Sequence, residues 1–457
     1  FYLPIPEIMK KHRTVAIVLA AGLGTRMGST LPKVLHPLGG RPMLLQLFET
    51  LSNVQPDTTV LVTGPDMDPV SGVVANHKLK PNVVIQEERL GTGHAVTVAR
   101  NFFEGNTETV LVVYGDTPLL TVPTMQSLMS VRQSNENPAV VVLGFRPSEA
   151  GEYGRLILDN HGSLQKIVEA KDASSEELNQ LLCNSGIMAI DAILLPFLLD
   201  QLKNDNAKGE YYLTDIVELA ILEGRSCAVL EGDENEVMGI NSKVDLAAAE
   251  GILQKRYRQR AMNAGVTLLD PSTVFFSWDT NLGRNVSIGP NVYFGQGVTV
   301  DDDVEIHSFS HLEGTKVYSG AVIGPFARLR PGTDIGRDAH IGNFVEIKNS
   351  VISSGAKANH LSYIGDAKVG QNANIGAGTI TCNYDGQKKS MTEIGAGAFI
   401  GSNTSLVAPV KVGVGAVTGA GSVITKDVED DALAVTRGSQ NVVPGWASRR
   451  QKPKGND

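Results

Sequence analysis

From about residue 282 onward, aliphatic or aromatic side chains recur at every sixth position: Leu282, Ile288, Phe294, Val300, Ile306 and Leu312. The count restarts at Ile323, Leu329, Ile335, Ile341 and Ile347, and returns at Val369 and Ile375. It then runs through Ile394, Ile400, Leu406 and Val412, with Ile424 still in phase. Helices repeat near 3.6 residues and half-buried strands at 2, so neither explains a period of six. A sustained period of this kind marks a solenoid: each flat face supplies one inward apolar residue, and stacked coils bury a continuous core. Glycine often follows the aliphatic residue, as in Ile288-Gly289, Ile341-Gly342 and Ile400-Gly401, and about half of the 48 glycines fall in this segment. Periodicity alone leaves a purely structural rod as an open reading. The period breaks between Thr379 and Lys389. An insertion there must leave the stack as a loop, the kind of place where binding residues concentrate.

Residues 14–243 have another texture. Apolar runs at Val15–Ala20, Thr59–Thr63, Val83–Gln86, Thr109–Val113, Ala139–Phe145 and Ile187–Ile190 read as strands. Segments with helical spacing, such as Met43–Leu51 and Thr121–Gln133, lie between them. That alternation predicts a layered α/β domain with a parallel sheet and ligands at the carboxyl ends of its strands. The first strand runs into Gly22-Leu23-Gly24-Thr25-Arg26-Met27-Gly28, with Lys33 just beyond. Strand, glycine loop and fixed cations are how a fold holds a polyphosphate. The spacing is neither the dinucleotide pattern nor a Walker loop. A glycine-rich βα turn without a ligand is the competing reading, and Arg26 and Lys33 weigh against it. After this domain, Ser242 and Asp245 form a capping box for a helix whose Leu246, Leu253 and Tyr257 share one stripe.

Bulk properties narrow the class. The chain of 457 residues is too long for one ordinary core. Its net charge of -9 disfavours a nucleic-acid binder. Cys183, Cys227 and Cys382 are dispersed and odd in number, which fits a reducing cytoplasm and offers no metal-ligand spacing. No apolar run approaches the roughly 20 residues of a membrane span. The segment 1–13 lacks a signal-peptide core and is expected to lie outside the fold.

Both halves resemble one known family, the bacterial bifunctional N-acetylglucosamine-1-phosphate uridyltransferase/glucosamine-1-phosphate N-acetyltransferases. The match runs from about Thr14 to Arg437. In the first half it rests on Leu19-Ala20-Ala21-Gly22-x-Gly24-Thr25-Arg26-Met27, Leu90-Gly91-Thr92-Gly93-His94-Ala95, Tyr114-Gly115-Asp116, Tyr153-Gly154-Arg155, Gly209-Glu210-Tyr211-Tyr212 and Gly239-Ile240-Asn241. In the second half it rests on Gly324-Pro325-Phe326-Ala327-Arg328-Leu329-Arg330-Pro331-Gly332, Gly342-Asn343-Phe344-Val345-Glu346 and Asn374 through Gly386. Departures are Leu23, where lysine is usual, Ser185, where threonine is usual, and the poorly matching stretch from Phe48 to Val84. The resemblance implies an α/β plus all-β chain: a Rossmann-like nucleotidyltransferase domain, a linker helix, and a left-handed parallel β-helix of hexapeptide repeats that trimerises. The expected divisions are extension 1–13, uridyltransferase domain 14–243, linker helix 244–264, acetyltransferase β-helix 265–440 and tail 441–457.

The implied chemistry is acetyl transfer from acetyl-CoA to glucosamine-1-phosphate, then uridyl transfer from UTP, feeding peptidoglycan and lipopolysaccharide synthesis. For uridyl transfer, Arg26 and Lys33 read as phosphate clamps, and Asp116 as a carboxylate for Mg²⁺. A turn or cap role for Asp116 is the bland alternative, given Gly115 and Pro118. By resemblance Asn241 is the second metal ligand. The motif residues Ala20, Ala21, Gly22, Tyr114 and Gly115 line the substrates, Gln86, Gly91 and Thr92 meet the uracil, and Gly154, Glu169 and Asn184 meet the sugar. Sequence alone favours Glu169 as an ordinary exposed acid beside Lys166 and Lys171. For acetyl transfer His360 is the candidate base, since imidazole in general titrates near working pH. A surface or stacking histidine is the alternative. The resemblance adds Arg330 and Lys348 for the sugar phosphate, Tyr363 and Asn374 for the sugar, and Ala377, Asn383, Tyr384, Ser402, Ala420 and Arg437 around acetyl-CoA. Neighbouring subunits of a homotrimer would share that site. Two other functions fit less well: a monofunctional nucleotidyltransferase with a regulatory β-helix, and a trimeric scaffold without catalysis.

Overall fold

A computed structural model describes residues 13–450. The expected extension therefore lies outside the described residues except for Arg13, and so does the expected tail beyond Arg450. The chain divides into two compact units between Leu253 and Gln254.

The first unit is built on a nine-stranded sheet. Its strands are β1 (Thr14–Leu19), β2 (Thr58–Thr63), β3 (Asn82–Ile85), β4 (Thr109–Tyr114), β5 (Val140–Phe145), β6 (Arg155–Leu158), β7 (Leu164–Val168), β8 (Cys183–Asp191) and β9 (Cys227–Glu231). The order across the sheet is β9-β5-β8-β4-β1-β2-β3, and the β6–β7 hairpin pairs onto the start of β8. Every residue of β1 and β5 is buried, as unbroken apolar runs require of strands covered on both faces.

The expectation of a parallel sheet needs correction. β8 runs antiparallel to both β4 and β5, while β1 to β4 and the β5–β9 pair are parallel. The run Ile187–Ile190 identifies a buried strand without giving its direction. Here the chain enters β8 from a hairpin and a short helix instead of a long helical crossover, and such a connection permits antiparallel pairing. Strands β6, β7 and β9 escape the sequence reading because Arg155, Gln165, Lys166 and Glu231 interrupt their apolar runs. Helix α1 (Met43–Val54) buries Leu44, Leu47, Phe48 and Leu51 on one stripe. Helix α2 (Thr92–Thr97) is short, and α3 (Val122–Arg132) is capped by the Thr121 hydroxyl, which accepts from the Thr124 N–H.

Helix α4 (Lys243–Asn263) begins at a reciprocal cap: Ser242 N–H donates to Asp245 Oδ2 at 2.8 Å, and Asp245 N–H to Ser242 Oγ at 3.2 Å. Within the first unit, Glu250 accepts from Gly39 N–H at 2.8 Å and Lys243 Nζ meets His36 Nδ1 at 3.0 Å. Within the second, Gln254 exchanges two hydrogen bonds with the Phe276 backbone, at 2.7 and 2.9 Å. The most buried helix residues are Ala249, Leu253 and Gln254. The expected stripe therefore holds at Leu253, while Leu246 and Tyr257 are only half-buried.

The second unit is a parallel β-helix with three sheets of 10, 8 and 8 short strands. Ile288, Ile306, Ile323 and Ile341 stack in one sheet, and Phe294, Leu312, Leu329 and Ile347 in the next. Val300, Val317, Ile335 and Ile352 stack in the third. Each residue meets a partner 17 or 18 positions on, so one coil is three six-residue faces. Across the break in period the offset widens to 25, from Ala367 to Thr392, which locates the protruding loop. Every periodic residue named above is buried except Leu282, which is half-buried.

A second inward row lies two positions earlier and was not read from sequence: Val286, Val292, Ala321, Ala339, Ser350, Ser362 and Thr379 among others. Beyond its first valines the row is largely small or hydroxylated, and such residues give no apolar signal. Their hydroxyls return to nearby backbone carbonyls, Ser350 to Lys348, Ser362 to His360 and Thr379 to Gly376, at 2.7–2.8 Å. At one corner of the prism every coil places a residue in the left-handed region. Asn291, Phe309, Phe326, Phe344, Leu361, Gly378, Asn403 and Gly421 form this column, with φ between 49° and 77°. Backbone hydrogen bonds join one coil's corner to the next, as from Leu361 N–H to Asn343 O and Gly378 N–H to Leu361 O.

Candidate active sites

In the first unit β1 ends where the glycine loop begins. Gly24 lies at φ 64°, and a Cβ there would press on the Lys33 side chain. Arg89 Nε donates to Ala21 O at 2.8 Å and pins the loop from across the site. Gly115 N–H donates to Leu19 O at 2.9 Å, so the ends of β4 and β1 are held side by side. Around them lies a cavity of about 300 Å³. Nine expected residues line it: Ala20, Ala21, Gly22, Lys33, Gln86, Gly91, Thr92, Tyr114 and Asp116. Arg89, absent from the motifs, and Glu210, given there only as a motif residue without a role, also line it. Arg26 does not; it is exposed on the turn Thr25–Met27.

Gln86 is buried and donates from Nε2 to Gly91 O at 3.0 Å. Gly91, at φ 108°, lies so close to Tyr211 and Glu210 that a Cβ would overlap their backbone and side chain. Thr92 Oγ1 accepts from Leu213 N–H at 3.0 Å. These bonds order one wall of the cavity. On the opposite side, Lys33 Nζ donates to Asp116 Oδ2 at 2.5 Å and to Asn241 Oδ1 at 3.0 Å. A carboxylate and an amide oxygen thus converge on a single cation. This donor set suits Mg²⁺, which takes one or two protein oxygens and completes its shell with water and phosphate. Among the described residues no group of three or more His, Cys, Asp or Glu side chains is placed to hold a metal.

The expected sugar-side residues form a neighbouring cluster. Asn184 N–H donates to Gly154 O at 2.8 Å. The pairing of β8 with β5 shifts register between Asn184 and Met188, a bulge that turns Asn184 Oδ1 onto Gly186 N–H. Gly186 packs on the ring of Tyr114, where a Cβ would not fit. Burial pushes the Tyr114 phenol well above its ordinary range, and Asp116 and Glu169 add to it. Glu169 is half-buried, and burial raises its pKa against the pull of Lys208 and the nearby Thr214 hydroxyl. It is not the exposed acid that sequence favoured. Lys166 pairs instead with Glu177 at 2.8 Å.

In the second unit the candidates fall into two groups. One follows the left-handed corner. His360, Ala377, Ser402 and Ala420 each stand one residue before the corner position of successive coils. Asn403 N–H donates to Ala377 O, Gly421 N–H to Ser402 O, and the Arg437 side chain reaches Gly421. Residues far apart in sequence thereby form one line down the prism. His360 is exposed, and its Nδ1 lies 2.7 Å from Asn343 Oδ1.

The other group lies on the adjoining sheet. Arg330 Nη1 meets Glu346 Oε1 at 2.9 Å, and Tyr363 stacks on Glu346 in register. The Tyr363 ring and Asn383 both occupy the space that a Cβ on Gly365 would need. Asn383 and Asn349 donate to Asp366, at 2.5 and 2.6 Å. Burial is the largest single effect and opposes the Asp366 charge, but these amides together with Lys348 and Lys389 outweigh it and hold the pKa below its ordinary value. Lys389, at the end of the loop, lies against Lys348, whose ammonium lowers the Lys389 pKa. Lys389 was missed from sequence, although a paired lysine in the protruding loop was its signal. Tyr384 is exposed on that loop, its hydroxyl donating to Gly386 O at 2.6 Å. Asn374 stacks beside Lys357, on the other side of the His360 corner from Tyr363.

No helix among the described residues is long and apolar enough to cross a membrane. Residues 16–182 match the MobA-like NTP transferase domain family. Residues 279–314 match the bacterial transferase hexapeptide (six repeats), and residues 392–426 the hexapeptide repeat of succinyl-transferase. Similar proteins named bifunctional protein GlmU include that of Rhodospirillum rubrum, 58% identical over 437 residues, covering 96% of this chain and 97% of its own. That of Paramagnetospirillum magneticum is 57% identical over 444 residues, with coverage of 96% and 97%. That of Azorhizobium caulinodans is 53% identical over 452 residues, with coverage of 98% and 100%. With this identity along both units, the chain belongs to the bifunctional GlmU family.

Proposed function

We propose that this chain makes UDP-N-acetylglucosamine in two steps, with acetyl-CoA and UTP as co-substrates. The second unit acetylates glucosamine-1-phosphate, and the first transfers a uridyl group to the product. The observation that carries the reading is the line of His360, Ala377, Ser402, Ala420 and Arg437 along one corner. A β-helix that served only regulation or assembly has no use for a base at the head of such a line.

In acetyl transfer the amine nitrogen attacks the thioester carbonyl carbon. His360 takes the amine proton, the carbon–sulfur bond breaks, and the CoA thiolate leaves and is protonated. Such a base contributes about 10²–10⁴-fold. Arg330, Lys348 and Lys389 form a cationic patch for the sugar phosphate, with Glu346 orienting Arg330. Tyr363 and Asn374, on the two sheets that meet at the His360 corner, would hold the sugar, while Asn383, ordered by Asp366, and Tyr384 would present the loop to acetyl-CoA.

In uridyl transfer an oxygen of the sugar phosphate attacks the α-phosphorus of UTP and pyrophosphate leaves. Positioning and charge neutralisation carry such a step. Mg²⁺ held by Asp116 and Asn241 would supply charge neutralisation on the phosphate oxygens. Lys33 aligns those two oxygens and supplies a fixed positive charge beside them, with Arg26 at the loop's outer edge. Gly22 and the loop pinned by Arg89 offer backbone N–H groups to the phosphates. Gln86, Gly91 and Thr92 make the wall for the uracil. Gly154, Glu169 and Asn184 serve the sugar beyond Tyr114.

We also propose a homotrimer in the cytoplasm. Its support is the exposed ring stack of Phe309, Phe326 and Phe344, with centroids 4.9 and 5.1 Å apart, and three cysteines free among the described residues. Supplying each half-reaction's substrates separately tests the two activities. Glucosamine-1-phosphate with acetyl-CoA should release a free thiol, and N-acetylglucosamine-1-phosphate with UTP and Mg²⁺ should release pyrophosphate. Pyrophosphate without thiol release would leave a monofunctional nucleotidyltransferase.

A further inference from the structure

We infer that Asn343 is the positioning residue for His360: its amide oxygen accepts the imidazole Nδ1–H and leaves Nε2 bare to take the amine proton. This rests on the acetyl-transfer reading above and names a residue that reading does not use. Asn343 Oδ1 and His360 Nδ1 are 2.7 Å apart. The two residues pair in register on neighbouring strands, His340–Asn343 and Lys357–His360. Each stands one residue before the corner of its coil, so the contact follows from stacking the coils.

The fit at this point is close. A Cβ on Gly342 would overlap the backbone of Asn359, so only glycine lets the strands approach this near just before the two side chains. The need for a partner follows from exposure. His360 projects from a corner with an exposed side chain, so within the protomer its ring needs a partner to fix it. A neutral imidazole carries its hydrogen on one nitrogen only, and the partner of one nitrogen decides which. An amide oxygen fixes ring and tautomer without adding negative charge. A carboxylate in its place would favour the charged imidazolium, a poorer base.

Lysine, histidine and glutamate side chains are the charged or titratable neighbours on this sheet. Lys357 shares the His360 strand, and His340 shares the Asn343 strand. Burial lowers the His340 pKa, Lys357, His307 and His360 lower it further, and Glu305 opposes them. The strand on the other side, Asn374–Ile375, carries no charge.

The test is acetyl transfer by the full chain, followed as CoA release from about pH 5.5 to 9, for wild type, Asn343→Ala and Asn343→Asp. Asn343→Ala should lose about 10²–10⁴-fold in kcat, the range of a general base, with KM for both substrates little changed. Asn343→Asp keeps an acceptor at the same atom. It should retain kcat within about tenfold at high pH, with the acid limb of its profile displaced upward. Two results overturn the inference: an Asn343→Ala profile that coincides with wild type, or an Asn343→Asp variant as inactive as Asn343→Ala at every pH. The second would mean that the amide N–H, not its oxygen, faces Nδ1. If Asn343→Ala no longer binds acetyl-CoA by titration calorimetry, the Asn343→Asp profile decides by the same outcomes. A wild type that releases no CoA would sink the acetyl-transfer reading itself, whereas an active wild type with an indifferent Asn343→Ala sinks only the role of Asn343.

Discussion

Asp215 illustrates how much one buried carboxylate decides. It sits half-buried before the helix Ile216–Leu222, and burial first, then Glu218, Glu169, Asp205 and Asp172, push its pKa up to about 6. The raised value means that the folded state holds a proton which the unfolded chain has already released near pH 4. Stability from this group is therefore full below about pH 4 and is lost as pH rises through about 6. Asp215→Asn should raise the melting temperature of the first unit at pH 7.5 and leave it unchanged at pH 4, read by calorimetry at both pH values. An equal effect at both would show that packing, not charge, sets the cost. The same neighbourhood explains why Glu169 was misread. A glutamate close in sequence to Lys166 and Lys171 looks solvated, but Lys166 turns to Glu177, and Glu169 faces Thr214 and Lys208 instead. Nothing local in the sequence carries that information, because the partners lie about 40 residues downstream.

Among the elements, the left-handed corner of the β-helix has the clearest consequence. Phe309, Phe326 and Phe344 are 52%, 44% and 54% exposed, and their rings stack at 4.9 and 5.1 Å. A bulky residue at positive φ costs on the order of 1–3 kcal/mol. Stacking returns about 0.5–1.5 kcal/mol per pair. A strained, exposed aromatic ladder therefore loses more than it gains in an isolated protomer, and burial against a second copy in the proposed trimer would offset the difference. Replacing all three phenylalanines with serine should shift the sedimenting species from trimer to monomer and abolish acetyl transfer while uridyl transfer continues. A variant that stays trimeric would contradict the role given to the ladder. The inward aliphatic row of this element was legible from Ile288 to Ile424 because one face repeats every six residues. The row two positions earlier was not, since after Val286 and Val292 it turns largely to Ala, Ser and Thr, which bury without an apolar signature. The corner column was equally silent: its residues range from Asn to Phe to Gly and share only a backbone conformation. In the first unit the long buried strands were legible, whereas the direction of β8 depends on a hairpin whose strands are short and broken by charges.

At the scale of the whole molecule, each unit carries its own chemistry. The first gathers Lys33, Asp116 and Asn241 at the carboxyl ends of a buried sheet, and the second aligns His360 with the corner residues of the coils below it. The motif residues of both sites were readable as residue types. What sequence could not supply was which of them meet, because Lys33 and Asn241 lie 208 positions apart and the corner line joins four separate coils, with the Arg437 side chain at its end. The central claim is that the two activities are independent and ordered. It is tested most directly by phosphorus NMR of the complete reaction, with glucosamine-1-phosphate, acetyl-CoA, UTP and Mg²⁺, for Asp116→Ala and His360→Ala side by side. Asp116→Ala should accumulate N-acetylglucosamine-1-phosphate without pyrophosphate, and His360→Ala should leave glucosamine-1-phosphate unconsumed until the N-acetylated sugar phosphate is added, after which UDP-N-acetylglucosamine appears. Formation of UDP-N-acetylglucosamine by Asp116→Ala at the wild-type rate, or its formation from glucosamine-1-phosphate by His360→Ala at that rate, would contradict the claim.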